Sequence, residues 1–188
     1  MTPTLFYLED PADFATHWPL LKQVACPHCH QVGFLNRHGF LRGFAEDLSE
    51  EIIRGWRVFC SDRRAQGNQG CGGTYSMLLA HLLHRRSVTT ANVWKFLSAV
   101  LAGLTLAAAW VVAASKLLVE CAYRLWNSWK RAQGAIRSRL SALNSPPQST
   151  QTNPLLQPLE HLQTLFPQCA NPLAAFQLHF QKPFFSTS

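Results

Sequence analysis

The chain has 188 residues and a formal net charge of +7, enough length for one ordinary domain or two small ones. Its charge is uneven: residues 1–62 hold five Lys/Arg against eight acids, a net of −3, whereas residues 63–188 hold twelve against Glu120 and Glu160, a net of +10. A magnesium-dependent nuclease or transferase core needs several carboxylates around its metal ions, so the basic stretch argues against one and points instead to a polyanionic partner, nucleic acid or an anionic membrane surface.

In chain order, "MTPTLFYLEDPADFATHWPLL" has neither a basic n-region nor an apolar h-region, so it is not read as a signal peptide and a cytoplasmic location is expected. Residues 1–23 form a lead-in whose "DPADFATHWPLLK" predicts a short helix with Asp10 as N-cap and Pro11 at N1. Residues 24–76 are rich in glycine and aromatics. There "QVGFLNRHGFLRGF" and "RGWRVFC" predict short strands, and the acidic "AEDLSEEIIRG" between them predicts a helical turn or an exposed loop.

Six cysteines without an export signal fit thiols kept reduced and used for metal. Cys26 and Cys29 frame the C-x2-C of a zinc knuckle, with Pro27 tightening the turn. Cys60 and Cys71 instead enclose the ten residues "SDRRAQGNQG". That insert is almost wholly polar and carries two glycines, so it reads as a loop grown out of a second knuckle. Each doubling of loop length adds only about 0.6 kcal/mol of closure entropy. One structural Zn²⁺ on Cys26, Cys29, Cys60 and Cys71 is the expected site. The alternatives are a mixed site completed by His28, His30 or His38, or no metal. Cys121 and Cys169 are expected to be plain thiols.

From 77 to 143 the pattern is helical. "TTANVWKFLSAVLAG" opens on a threonine cap and stops at Gly103; "LTLAAAWVVAASK" follows with Thr105 as a second cap. In the longer "LLVECAYRLWNSWKRAQGAIRSRLSAL", the residues Leu118, Cys121, Leu125, Trp129 and Ala132 fall on one stripe. Phe96 to Ala114 is nineteen residues without a charge, long enough to be a single membrane span. The Gly103–Thr105 stop-and-cap signal favours two short helices crossing as in a helix-turn-helix. The helix after "AASK" is then the recognition helix, with Glu120, Tyr123, Arg124 and Asn127 as base-edge or phosphate candidates and Lys130 and Arg131 on the backbone. The alternative for these residues is a solvated basic helix face. Arg63, Arg64, Arg85 and Arg86 form a second basic patch. Residues 144–154, "NSPPQSTQTNP", predict a linker, and 155–188 a tail of two short helices around Pro167 and Pro172.

The expected fold is α+β, mostly α: a small β zinc ribbon, a helical helix-turn-helix unit and a C-terminal helical tail. "CPHC", then "RGWRVFC…CGGTYS", then a helix-turn-helix resembles the N-terminal region of bacterial insertion-sequence proteins and their transposase-associated zinc ribbons. The resemblance covers residues 24–140, and the ten-residue gap in the second knuckle departs from that family's C-x2-C-G-x-x-F/Y-S. It implies zinc on the four cysteines, double-stranded DNA bound after Thr89, and work beside a separate transposase. The expected protein is a non-catalytic, zinc-dependent DNA binder for transposon-end or operator DNA, capable of forming a homodimer. The rivals are a membrane-anchored zinc-ribbon protein and a protein–protein adaptor.

Overall fold

The computed structural model describes residues 5–61 and 70–186. Among them the chain is α+β, with one four-stranded sheet and six helices. It divides into two compact units, Met1–Gly43 with Glu51–Ala80 and Phe44–Glu50 with His81–Ser188.

The first unit is built on strands β1 (Leu5–Leu8), β2 (Leu35–Phe44), β3 (Glu51–Cys60) and β4 (Thr74–Leu79), in the order β1-β4-β3-β2. β4 pairs antiparallel with β3, Trp56 facing Met77 and Val58 facing Tyr75, and parallel with β1, Leu8 facing Leu79. Alternation in β3 puts Trp56, Val58 and Cys60 on the buried face, as a period of two requires. Helix α1 (Pro11–Leu21) starts where expected: Asp10 caps it, Asp13 closes a capping box and Pro11 occupies the first turn. Its Phe14 stacks on Trp56 at 4.3 Å between ring centroids, and the Arg37 guanidinium lies 5.6 Å from the centroid of the same Phe14 ring. Gly55 is needed for close approach, since a Cβ there would lie 2.0 Å from the Met77 carbonyl oxygen. The lead-in of residues 1–23 thus supplies a strand and a covering helix to this unit, and β4 runs three residues past 76.

The second unit is helical: α2 (Thr90–Leu101), α3 (Leu106–Val112), α4 (Glu120–Leu143), α5 (Gln157–Leu165) and α6 (Pro172–Phe180). Thr89 and Thr105 cap α2 and α3 through their side chains. The nineteen-residue apolar run is therefore two helices, broken at Ala102–Thr105 with Gly103 at φ 94. Among the described residues no helix is long and apolar enough to cross a membrane, so the two-helix reading of 96–114 holds and the rival single span does not. The core joins Phe96, Leu97, Trp110, Leu125, Trp129, Ile136 and Leu140 to Leu159, Leu162, Leu173 and Phe176 of the last two helices. Its buried amide is satisfied: Gln177 Nε2 donates to Leu82 O at 3.1 Å, and Gln177 Oε1 accepts from Phe184 N–H at 3.1 Å.

Two expectations need correction here. Leu118 is not on the buried stripe but 77% exposed, because α4 begins at Glu120 and the chain before it is held by Trp110 Nε1–H donating to Leu117 O at 2.9 Å. The buried stripe of α4 is Ala122, Leu125, Trp129, Ala132, Ile136 and Leu140. Residues 144–154 have no helix or strand, yet they do not separate two bodies: Trp129 Nε1–H donates to Leu155 O and Arg137 to Pro154 O, tying the segment to α4. Of the two forms expected for the acidic stretch, residues 45–50 take the exposed loop, and Glu51–Gly55 belongs to β3. Glu46 Oε2 accepts from Thr89 N–H (3.2 Å) and Asn92 Nδ2 (2.9 Å) at the start of α2, where the helix dipole favours a carboxylate.

Candidate metal centre and the basic helix face

The four cysteines come from two turns with the same backbone plan. In the first, Cys26 N–H donates to Gln31 O (2.8 Å) and His30 N–H to Cys26 O (2.7 Å). In the second, Cys60 N–H donates to Gly73 O (2.9 Å) and Gly72 N–H to Cys60 O (3.1 Å). His30 and Gly72 follow the second cysteine of each turn, and both sit in the left-handed region, at φ 59 and 68. His28 N–H donates to Cys26 Sγ and Gly73 N–H to Cys71 Sγ, both at 3.4 Å. Cys26 corresponds to Cys60, Cys29 to Cys71, His30 to Gly72 and Gln31 to Gly73.

This correspondence locates the insert. A Cβ on Gly70 would lie 2.9 Å from Ser61 Cα, so Ser61 and Gly70 stand side by side as the two middle residues of an ordinary knuckle. The extra residues 62–69 lie outside the described residues, and so do Arg63 and Arg64. A chain in which Ser61 is joined directly to Gly70 is expected to keep its metal stoichiometry by elemental analysis and its thermal midpoint. Loss of the metal from that chain would show that the insert helps to build the site.

The sulfurs themselves meet the demands of a tetrahedral ion. Four thiolates about 2.3 Å from a zinc-sized centre lie about 3.8 Å apart. Here Cys26 Sγ and Cys71 Sγ are 3.5 Å apart, Cys29 Sγ and Cys60 Sγ 3.7 Å, and all four lie within 4.8 Å of one another. None is in a disulfide. The set can hold one metal ion, and with four protein donors it leaves no open position for a substrate. His28, His30 and His38 are not part of the four-residue cluster; His28 packs on Tyr75 at 5.1 Å between centroids, and His38 on Phe59 at 5.6 Å.

Tyr75 is the partner that sequence reasoning missed. It is buried on β4 and its hydroxyl meets Cys26 Sγ at 2.8 Å. The "CGGTYS" stretch placed it near the site, but only the β3–β4 register turns its ring inward. Burial pushes the Cys26 thiol up, yet the Tyr75 hydroxyl and the N–H groups of Cys29 and His28 outweigh it and bring the group down to about 6. Burial dominates at Cys60, which is pushed up to about 12. Burial, followed by the Cys26 contact, also raises Tyr75. A dication would offset half the charge of four crowded thiolates and displace their protons, so its affinity falls as pH falls.

The second group of candidate residues lies in the helical unit. Glu120, Tyr123, Arg124, Asn127, Lys130 and Arg131 are all exposed on α4, opposite the buried stripe. Arg85 is exposed as well, with φ 58. Arg86 is placed differently: half-buried, it donates to Ser128 Oγ at 2.7 Å and lies 5.2 Å from the Phe185 ring. Arg131 reaches the same hydroxyl at 3.4 Å. Burial first, and then the nearby Arg131, lower the Arg86 pKa. Arg86 thus joins the start of the unit to α4 and the tail. No family model, curated protein or solved structure matches the chain.

Proposed function

We propose that this chain is a non-catalytic, zinc-dependent DNA-binding protein that recognises transposon-end or operator DNA, working in the cytoplasm beside a separate transposase. The observation that carries the reading is the exposed face of α4, where Arg124, Lys130 and Arg131 stand with Asn127 and Tyr123, and Glu120 is the helix's one acid. A helix backed by a packed core presents such a row to a groove at little ordering cost. Arginine and asparagine are the side chains that take guanine and adenine bidentately, while Lys130 and Arg131 suit phosphates.

Four soft thiolates in a closed tetrahedral set favour zinc in a structural role. α2, the turn at Gly103 and α3 form the paired helices, and α4 is the recognition helix. The link Ala113–Val119 is longer than the three or four residues of the simplest such motif. A pseudo-palindromic target would call for a homodimer.

Fluorescence anisotropy with duplex DNA over a salt series tests this reading. The logarithm of the binding constant is expected to fall linearly with the logarithm of salt concentration. Changing Lys130 and Arg131 together to alanine should weaken binding alike across sequences and reduce the slope by about 2. Absence of salt-sensitive binding to any duplex would overturn the reading in favour of a protein–protein adaptor.

A further inference from the structure

The exposed face of α4 changes in character from its start to its middle. At its entrance stand Leu118 (77% exposed), Val119 (39%) and Tyr123 (50%). Val111 (79% exposed) and Val112 (54%) close α3 just before the link, which Trp110 ties back to that helix. Single exposed apolar side chains are ordinary, but a group of them gathered at one helix end marks a contact surface. Val119 and Tyr123 are four apart and so are neighbours on the helix surface. Beyond them the same face becomes an amide at Asn127 and then cationic at Lys130 and Arg131.

We propose that Leu118, Val119 and Tyr123 read thymine methyl groups in the major groove, so that the preferred duplex carries A·T pairs where α4 enters. The proposal rests on the DNA-binding reading and names the chemistry of its target. Thymine alone among the four bases presents a methyl group in the major groove, and apolar side chains are its natural partners. The neighbouring charge complements that occupant. At 1.5 Å per residue Lys130 lies about 16 Å along the axis from Val119, against a groove about 12 Å wide. The apolar end thus meets the groove floor when Lys130 and Arg131 meet the phosphates at its edge. A flat anionic lipid surface would call for free cations level with the apolar residues; of the two cations nearest them, Arg124 is on α4 and Lys116 is paired with Asp47 at 3.5 Å.

The test compares alternating duplexes in anisotropy, using the full metal-loaded chain. Poly(dA-dT) and poly(dA-dU) differ only in the thymine methyl, and poly(dG-dC) with its 5-methylcytosine form restores a methyl on another base. Tighter binding to poly(dA-dT) than to poly(dA-dU) is expected, about fourfold for each methyl buried, with a gain on methylating cytosine. Leu118→Ser with Val119→Ser should abolish the difference and leave the salt slope unchanged. Equal, salt-sensitive affinity for poly(dA-dT) and poly(dA-dU) would overturn the methyl proposal alone. No binding to any duplex would overturn the underlying reading. Capture by phosphatidylglycerol-containing vesicles, lost in the double serine variant and accompanied by no methyl discrimination, would assign the patch to lipid and overturn the proposal.

Discussion

Cys29→Ser is expected to lose the metal and unfold the sheet unit while the helical unit remains folded. The four sulfurs are contributed by two turns far apart in sequence, and a metal ion held among them would bind both turns to one centre. Zinc on sites of this kind supplies roughly 10–16 kcal/mol of apparent free energy, whereas whole domains are stable by about 5–15 kcal/mol. The apolar core of this unit is smaller than that of the helical unit and consists chiefly of Tyr7, Leu8, Phe14, Leu21, Leu35, Trp56, Val58, Tyr75, Met77, Leu78 and Leu79. Removing one thiolate also leaves three crowded sulfurs around a weakly held ion. Hydrogen exchange resolved by residue is the measurement. Protection should vanish from β2, β3 and β4 and persist in α2 and α4, and a strong chelator should do the same to the parent chain. Undiminished protection of β3 and β4 in the variant would mean that the sheet stands without metal.

The helical unit has its own point of greatest sensitivity. Trp129 is fully buried, stacks on Phe184 at 6.0 Å and donates its indole N–H to Leu155 O at 2.9 Å. It therefore fastens α4 both to the segment after it and to the chain end. Trp129→Ala should cost about 3–5 kcal/mol, much of the stability of an ordinary domain. Trp129→Phe keeps most of the ring and gives up the N–H, so it should cost less. Urea unfolding followed by helical circular dichroism separates the two. An alanine variant within about 1 kcal/mol of the parent would show that the site repacks and that the indole is not the fastening.

The features legible in the sequence were those with a local cause. Asp10, Thr89 and Thr105 marked helix starts because capping is decided within four residues. Gly103 marked the break in the apolar run, and the polar insert marked a loop. Non-local features stayed hidden. β1 is four residues whose partner strand begins at Thr74, and nothing within "LFYL" says which strand it will join. The inward turn of Tyr75 depends on the β3–β4 register. Leu118 fitted the apolar period of α4 but fell outside the helix, because Leu117 is held by Trp110 instead. Arg86 looked like half of an exposed basic pair, and only the packing of the tail shows that it serves Ser128 and Phe185. The first knuckle could be read from spacing alone and the second from its polar, glycine-bearing insert, while only the meeting of Ser61 and Gly70 shows where that insert leaves the turn.

If the chain with Ser61 joined to Gly70 keeps its metal, loop length and metal binding are independent variables. Because the turn is closed by contacts among Cys60, Ser61, Gly70, Gly72 and Gly73, whatever is spliced between Ser61 and Gly70 hangs from a finished joint. Lengthening it costs only the slow logarithm of loop closure. The joint is a natural port for foreign sequence: an epitope, a fluorophore-bearing peptide or a small folded domain placed there would ride on the sheet unit without entering its metal chemistry.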